Sequence, residues 1–313
     1  MMIDWTLIIG LMGSSIAFAC PLLLASLGET IVERGGILNL GIEGAMLIGA
    51  FSGFIGAVST GSLYIGLVIA VAAGITTVML FGLLVVRFNL DQVVCGLAVN
   101  FLASGFVIYF LRIAFPHGET PSLAHLINPY PVPLLSQIPV IGSIIFDQSG
   151  FFYLALVLVP TIYYLIFRTT FGLRLRSIGE DPMIASYLGI NVSRVRFSSL
   201  ILEGALVGLA GSFVTLSQFN TFDTSLTAGL GFISVSIVIL GRWNPVGSLI
   251  GSLLFGFTEA LSLWAATFLT GSEAVSLGQL LTLLPFVTVL IALVVGGRML
   301  RGPAALGNPF SRE

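Results

Sequence analysis

The chain has 313 residues, of which 57% are hydrophobic and 8% are charged. An ordinary soluble domain carries about 25% charged residues, so this composition excludes a soluble globular protein. The formal net charge is −2, and all 12 basic residues are arginines. The chain is therefore predicted to be an integral membrane protein, in which the positions of the arginines, and not the net charge, indicate the topology.

A helix needs about 20 mostly apolar residues to cross a bilayer, and charged and Pro/Gly-rich breaks separate about nine such stretches. This pattern predicts an all-α polytopic protein with a single transmembrane domain over residues 1–313. The stretch 230–241 is short for a crossing of about 30 Å, so the residues before it are expected to supply a half-helix or a re-entrant turn. The predicted spans are residues 6–27, 38–58, 62–86, 92–113, 150–168, 196–217, 230–241, 246–268 and 279–297.

The arginines predict the orientation of these spans. If the loop after Arg168 is cytoplasmic, strict alternation places every arginine except Arg112 on the cytoplasmic side. Such a positive bias on the inner side is typical of membrane proteins. We therefore expect the N-terminus outside and the C-terminus in the cytoplasm. Glu29, Glu33 and Arg34 are expected just beyond the first span, at its cytoplasmic end.

Polar residues continue into the second predicted span. Asn39 and Glu43 are four residues apart and so share one helical face. A carboxylate inside the bilayer is costly and faces protein or a water-filled path. Glu43 therefore either joins two helices through hydrogen bonds or lines the path of a solute.

Residues 114–150 form the longest non-apolar stretch and are predicted to be an external loop. The loop is dense in proline, which makes it stiff. A stiff loop is suited to receive a second protein, or it forms a plain lid over the helix ends. Its histidines, His117 and His125, have no cysteine beside them, and no metal site is expected.

Residues 172–196 are charged and helix-forming and lie between two strongly apolar spans, so they are predicted to be a cytoplasmic loop. Asp181 is suited to cap free backbone N–H groups, Pro182 suits the first helical position, and Gly189 ends the run. About two turns of surface helix are predicted, either as a docking piece for a soluble partner or as an ordinary interhelical loop. Its apolar side would consist of Met183, Ile184, Tyr187 and Leu188.

Two runs of sequence resemble a known family: ERGGILNLGIEGAMLIGA, at residues 33–50, and RSIGEDPMIASYLGINVSRV, at residues 176–195. They resemble the permease subunits of ATP-binding-cassette (ABC) importers, in the branch that handles branched-chain amino acids, ribose-type sugars and nucleosides. The similarity covers nearly the whole chain. The first run is most similar to nucleoside (BMP-type) and riboflavin members, because sugar permeases more often carry Asp-Leu-Ser in place of Asn39-Leu40-Gly41. Sugar-type members also carry an extra N-terminal span that this sequence does not show.

The resemblance implies that residues 179–190 contain a coupling helix, which lies in a groove of the ATPase subunit. It also implies three partners: a second permease subunit, a cytoplasmic ABC ATPase, and an external substrate-binding protein or lipoprotein. ATP would be bound by the ATPase, and this chain is expected to hold no cofactor, to bind no nucleic acid and to hydrolyse nothing, since it has no G-x-x-x-x-G-K-[ST] run. The residues implied for coupling are Glu180, Asp181, Pro182, Met183, Ile184, Tyr187, Leu188 and Gly189.

Polar and aromatic side chains inside the predicted spans are candidates for the solute path, because they hydrogen-bond or stack on a flat solute. Few charges lie in the spans, so a small neutral solute is expected. The resemblance favours a nucleoside over riboflavin or a simple sugar. A proton-coupled secondary transporter, with glutamates as a relay, is the remaining alternative. The candidates are Asn39, Glu43, Asn100, Phe101, Glu203, Phe232 and Glu259.

Overall fold

A computed structural model describes residues 5–116, 120–127, 129–133, 135–138, 141–227, 229–267, 280–296 and 301–310. These residues form a helical bundle with one small sheet. In chain order the elements are α1 (Trp5–Arg34), α2 (Ile42–Thr60), α3 (Leu63–Gly82), α4 (Gln92–Ala114), β1 (Pro129–Pro131), α5 (Ile141–Ile145), β2 (Asp147–Ser149), α6 (Gly150–Arg168), α7 (Thr170–Glu180), α8 (Pro182–Tyr187), α9 (Val192–Phe213), α10 (Leu230–Leu240), α11 (Pro245–Thr267) and α12 (Leu284–Gly296). Short π-helical turns, Leu83–Arg87 and Val214–Gln218, extend α3 and α9.

In the described part of the chain, seven helices are long and apolar enough to cross a membrane: α1, α2, α3, α4, α6, α9 and α11. The helical class and the polytopic architecture are thereby confirmed. Nine full crossings are not confirmed, because the two other predicted spans coincide with the shorter helices α10, of 11 residues, and α12, of 13 residues. A break before α10 was expected, since its apolar stretch is short.

Helix α1 differs from its predicted span, because it continues to Arg34 instead of ending near residue 27. Glu29 and Glu33 therefore belong to the helix, and both are fully buried. They lie four residues apart, on one face of α1. Hydrogen bonds to neighbouring elements, described below, allow these two carboxyl groups to be buried within the bundle.

Helix α9 lies in the middle of the bundle, where it packs against α1, α2 and α3. Gly208 is a point of close approach to two of these helices. A Cβ atom on Gly208 would lie 2.4 Å from the carbonyl oxygen of Ala70 in α3, and one on Gly49 in α2 would lie 2.9 Å from the Cα atom of Gly208. Two helices therefore cross α9 at one glycine, a form of packing that small residues permit inside a membrane.

Several loops meet at one end of the bundle, which we call the arginine-rich end. It comprises the turn between α1 and α2, the α7–α8 segment, the turn between α10 and α11, and residues 301–310. Direct hydrogen bonds join these parts: Arg34 Nε donates to the carbonyl oxygen of Trp243 (2.8 Å), and Ala305 N–H donates to that of Gly179 (2.9 Å). The loops predicted to be cytoplasmic thus lie together.

Part of the proline-rich loop lies at the opposite end. Leu123 N–H donates to the carbonyl oxygen of Asn220 (2.7 Å), and Ile127 N–H donates to that of Leu216 (2.8 Å), beyond the far end of α9. The loop also contains α5 and the antiparallel pair β1–β2, in which Pro129 faces Ser149. It is therefore anchored to the bundle and carries some regular structure. Residues 117–119, which include His117, lie outside the described part.

Candidate functional site

Helix α8 has the form that the sequence predicts. The Asp181 carboxylate accepts a hydrogen bond from Ile184 N–H (3.0 Å), and Pro182 occupies the start of the helix. Gly189 follows the helix with φ of +83°, a left-handed conformation that glycine adopts without strain. Local capping thus defines both ends of this short helix.

The outer face of α8 is apolar and exposed. Tyr187 and Leu188 are each 76% exposed, and Met183 and Ile184 are also exposed, whereas Ala185 is buried against the bundle. Apolar side chains clustered in this way on a loop indicate a protein-binding surface. Glu180 is exposed at the end of α7, just before the cap residue.

A cleft of about 610 Å³ lies beside α8. Two arginines, Arg174 from α7 and Arg194 from α9, line it together with Leu188. The arginine-rich end therefore presents an apolar ridge next to a positively charged recess.

A buried cluster of three carboxyl groups lies near the arginine-rich end. Glu29 and Glu33 of α1 and Glu203 of α9 are each 0% exposed. Asn39, in the turn before α2, joins two of them: its N–H donates to Glu29 Oε1 (3.0 Å) and its Nδ2 donates to Glu203 Oε1 (2.8 Å). Trp243 Nε1 donates to Glu33 Oε2. These donors compensate part of the cost of burying the carboxyl groups.

Hydrogen bonds with the end of α1 hold the turn between α10 and α11. Arg242 and Trp243 have φ of +58° and +54°, in the left-handed region that costs non-glycine residues about 1 kcal/mol or more each. The bonds from Arg34 to the Trp243 carbonyl and from the Trp243 indole to Glu33 stabilise this conformation. The C-terminal end of α1 and the α10–α11 turn are therefore fixed to each other.

Glu43 caps the start of α10. Its carboxylate accepts hydrogen bonds from Gly229 N–H (3.2 Å) and Gly231 N–H (2.8 Å), groups that no helical carbonyl satisfies at a helix N-terminus. In a bilayer such groups need an internal partner. Of the two roles open from the sequence, this geometry supports the interhelical one for Glu43.

Asn100 of α4 performs a similar task at the start of α2. Its Nδ2 donates to the carbonyl oxygen of Leu40 (2.8 Å), and its Oδ1 accepts from Gly44 N–H (2.8 Å). The amide thus satisfies one donor and one acceptor where the backbone enters α2. Asn100 and Glu43 therefore hold the starts of α2 and α10, respectively.

The remaining path candidates lie elsewhere. Glu259 of α11 lines a cavity of about 220 Å³ between α1, α10 and α11, together with Gln218 and several aromatic and aliphatic residues. Phe232 is 42% exposed on α10, and Phe101 is 78% exposed on α4. The candidates therefore do not form one group: Asn39 and Glu203 share a buried cluster, and the rest are spread over the bundle.

Residues 11–299 match the protein family described as "Branched-chain amino acid transport system / permease component". The chain belongs to this permease family. The family predicted from the two sequence runs is thus confirmed. The match extends over all of the long helices, so it covers the whole bundle and not one motif.

This permease is similar along most of its length to ABC transporter permeases. The nucleoside ABC transporter permease NupC of Lactococcus lactis subsp. cremoris is 36% identical, over 80% of this chain and 81% of its own. The guanosine ABC transporter permease NupQ of Bacillus subtilis is 31% identical over 95% of each chain. A Haloferax volcanii protein named provisionally as a glucose ABC transporter permease, TsgC13, is 32% identical over 81% of this chain and 77% of its own.

Bacillus subtilis also has a second guanosine ABC transporter permease that matches, NupP, 26% identical over 78% of this chain and 71% of its own. With its apolar spans and this family, the chain is an ABC importer permease subunit and a multi-pass protein of the cytoplasmic membrane.

Sequence reasoning missed part of the permease's polar network. Glu29, Glu33 and Trp243 did not stand out as functional candidates, although their spacing carries a signal: the two glutamates are four residues apart on one helical face. Trp243 gives no such local signal, because its partner in α1 is 210 residues away. In the described part of the chain no group of three His, Cys, Asp or Glu residues is arranged to hold a metal ion.

Replacing Glu43 with alanine is expected to destabilise the permease by about 1–3 kcal/mol, because the N–H groups of Gly229 and Gly231 lose their acceptor. Glu43→Gln is expected to have a smaller effect, since the amide oxygen still accepts one bond. Thermal unfolding in detergent, followed by size-exclusion chromatography, measures both. Asp147→Ala, at an exposed carboxylate in β2, is the matched control. Equal melting temperatures for Glu43→Ala and the control would contradict the capping role.

Proposed function

We propose that this permease is the membrane-spanning subunit of an ATP-driven importer of nucleosides. The observation that carries the proposal is its similarity to a nucleoside permease and a guanosine permease, over at least four-fifths of its length. The sequence contains no lysine, and the phosphate-binding loop of P-loop ATPases requires a lysine. This supports ATP hydrolysis by a separate subunit. A sugar is the second candidate solute, and the similarity to TsgC13 favours it.

The proposed mechanism is alternating access. A binding protein outside the cell delivers the solute at the end that carries the proline-rich loop, and the solute enters a cavity between two permease subunits. ATP binding closes the ATPases, and their movement reaches the bundle through α8. The bundle then tilts as a rigid body and opens the cavity inward. No covalent chemistry occurs in this subunit.

The second permease subunit is proposed to be a different chain. The two guanosine permeases of Bacillus subtilis, NupQ and NupP, both resemble this chain, and NupQ does so over more of its length. Two related permeases in one organism support a pair of unlike subunits. The solute path then lies at the interface between them, as is typical where two halves rock against each other.

Two residues suit the solute path better than the candidates whose polar atoms already bond other parts of the bundle. Phe232 is partly exposed on α10, and Glu259 lines a cavity. In contrast, the polar atoms of Asn39 and Asn100 are already used inside the subunit. We therefore assign base stacking to Phe232 and hydrogen bonding of the solute to Glu259. The other polar candidates are assigned to holding the bundle together: Asn39, Glu43, Asn100 and Glu203.

Uptake by the reconstituted importer tests the solute. Proteoliposomes are prepared with this permease, the second permease, the ATPase and the binding protein. They are expected to import radiolabelled guanosine or uridine when ATP is supplied on the side of the membrane that carries the ATPase. Unlabelled adenosine is expected to compete, while glucose, ribose and riboflavin are not. Vesicles without this permease are the control. Import of glucose or riboflavin alone would refute the nucleoside assignment and leave the importer assignment intact.

Replacing Tyr187 or Leu188 with aspartate is expected to prevent α8 from binding the ATPase. A charge without a partner in an apolar groove costs about 2 kcal/mol or more, which corresponds to roughly 30-fold weaker binding. Pull-down of the ATPase and solute uptake are measured on the same membranes. Tyr187→Phe keeps the ring and is expected to retain both activities. Normal uptake by both aspartate variants would contradict the coupling role of α8.

Thiol labelling tests the orientation. A cysteine at Ser122, in the proline-rich loop, is expected to react with an impermeant reagent in intact cells. A cysteine at Ser193, beside α8, is expected to react only after the membrane is opened. The native thiols of Cys20 and Cys95 are buried, so the background is low. The reverse pattern would place α8 outside and exclude it as the ATPase contact.

A further inference from the structure

Residues 301–310, which we name the C-terminal strap, contact several separate parts of the arginine-rich end. Ala305 N–H donates to the carbonyl oxygen of Gly179 (2.9 Å), at the end of α7. Gln92 Nε2, at the start of α4, donates to the carbonyl oxygen of Asn308 (3.3 Å). The strap is thus fixed at two points by its own backbone, and it bridges segments that lie far apart in the sequence.

Gly179 lies against both α1 and the strap. A Cβ atom on Gly179 would lie 2.2 Å from the carbonyl oxygen of Arg34 and 3.3 Å from the Cβ atom of Pro303. On the neighbouring turn, a Cβ atom on Gly36 would lie 3.3 Å from the carbonyl oxygen of Ala305. The last turn of α7 is therefore held between the end of α1 and the strap, and its approach to α1 is one that only glycine allows.

Arg196 provides a third contact. The side chain is 2% exposed, and its Nη2 has no hydrogen-bond acceptor in the described ranges. Its Nε donates to the carbonyl oxygen of Gly35 (3.4 Å), and its guanidinium carbon lies 5.9 Å from the centre of the Phe310 ring. A buried cation with so few partners is stabilised by the negative face of an aromatic ring. Phe310 of the strap is therefore part of what holds Arg196, on α9, in place.

The position of Gly179 relates these contacts to α8. Asp181, which caps α8, follows Gly179 by two residues, so α8 extends directly from the turn that the strap holds. Gly302 lies against the ring of Trp243, because a Cβ atom there would be 2.8 Å from the indole. The strap therefore joins the base of α8 to α4, to α9 and to the α10–α11 turn.

We propose that the C-terminal strap is a positioning element of the coupling apparatus. It holds the base of α8 against the spanning helices, so that a movement of α8 shifts α4, α9 and the α10–α11 turn together. Without the strap, α8 still binds its partner and still contacts α7 and α9, but less of its movement reaches α4 and the α10–α11 turn. This inference rests on the proposed function, in which α8 binds the ATPase.

Two variants in the full importer test the proposal. Phe310→Ala removes the ring beside Arg196, and Ala305→Pro removes the N–H that donates to Gly179. Both leave the exposed face of α8 unchanged, so ATPase pull-down and ATP hydrolysis are expected to remain. Solute imported per ATP hydrolysed is expected to fall about fivefold or more, the lower end of ordinary coupling between sites. Phe310→Tyr keeps the ring and should restore the native ratio.

Asn308→Ala is the matched control, because the side chain of Asn308 is exposed and only its backbone carbonyl accepts from Gln92. A native ratio of import to hydrolysis in both test variants would overturn the proposal. A loss of assembled complex in step with the loss of import would also overturn it, since that result indicates a purely structural role.

Hydrogen–deuterium exchange of the purified permease separates this inference from the proposed function. Phe310→Ala is expected to speed exchange both in residues 301–310 and in residues 177–190, whatever solute is carried. Faster exchange in the strap alone would overturn the link to α8. If the native complex imports none of the solutes offered, the proposed function fails, and the exchange result still supports or overturns the attachment of α8 by the strap.

Discussion

The structure depends on one constraint of the bilayer: every backbone N–H and C=O group needs a partner inside the protein wherever a helix is interrupted. This chain interrupts its helices between α1 and α2 and again before α10. At each break a buried or half-buried side chain supplies the missing partner. Glu29 accepts from the Asn39 N–H, Asn100 bonds the backbone around the start of α2, and Glu43 caps the first N–H groups of α10. These bonds connect α1, α2, α4 and α10, so the breaks also determine how the helices assemble.

This constraint changes how polar residues inside spans are interpreted. A polar side chain in a membrane helix is costly, and that cost usually suggests a solute path. Here part of the cost is offset by backbone groups that would otherwise have no partner, each of which is expensive to leave unsatisfied in hydrocarbon. The side chains of Asn39 and Glu203, for example, are fully buried and are joined by a hydrogen bond. The proposed assignment of these residues to the bundle leaves few charged groups for the solute path, which is consistent with the neutral solute proposed above.

The features that the sequence predicted are those with local causes. The positions of the long spans follow from runs of apolar residues, and α8 follows from a cap, a proline and a terminal glycine within nine residues of sequence. The features that it did not predict depend on distant contacts. Helix α1 continues beyond its apolar stretch because two buried glutamates have donors. Glu33 accepts from Trp243, 210 residues away, and Glu29 accepts from Asn39 in the following turn. No local pattern indicates those partners, and the same holds for the strap.

The arginine-rich end joins these local and distant features. Two consecutive left-handed residues, Arg242 and Trp243, keep their conformation only while the end of α1 holds them. A relative shift of α1 and the α10–α11 turn would break the bonds that join Arg34 and Glu33 to Trp243. The buried Glu33 carboxyl group would then lose its donor, at a cost of about 1–3 kcal/mol or more. Sliding of one helix past another is therefore unfavourable at this end. In the proposed mechanism, motion that starts at α8 is therefore transmitted to the whole bundle as a rigid body, which is the kind of motion that alternating access requires.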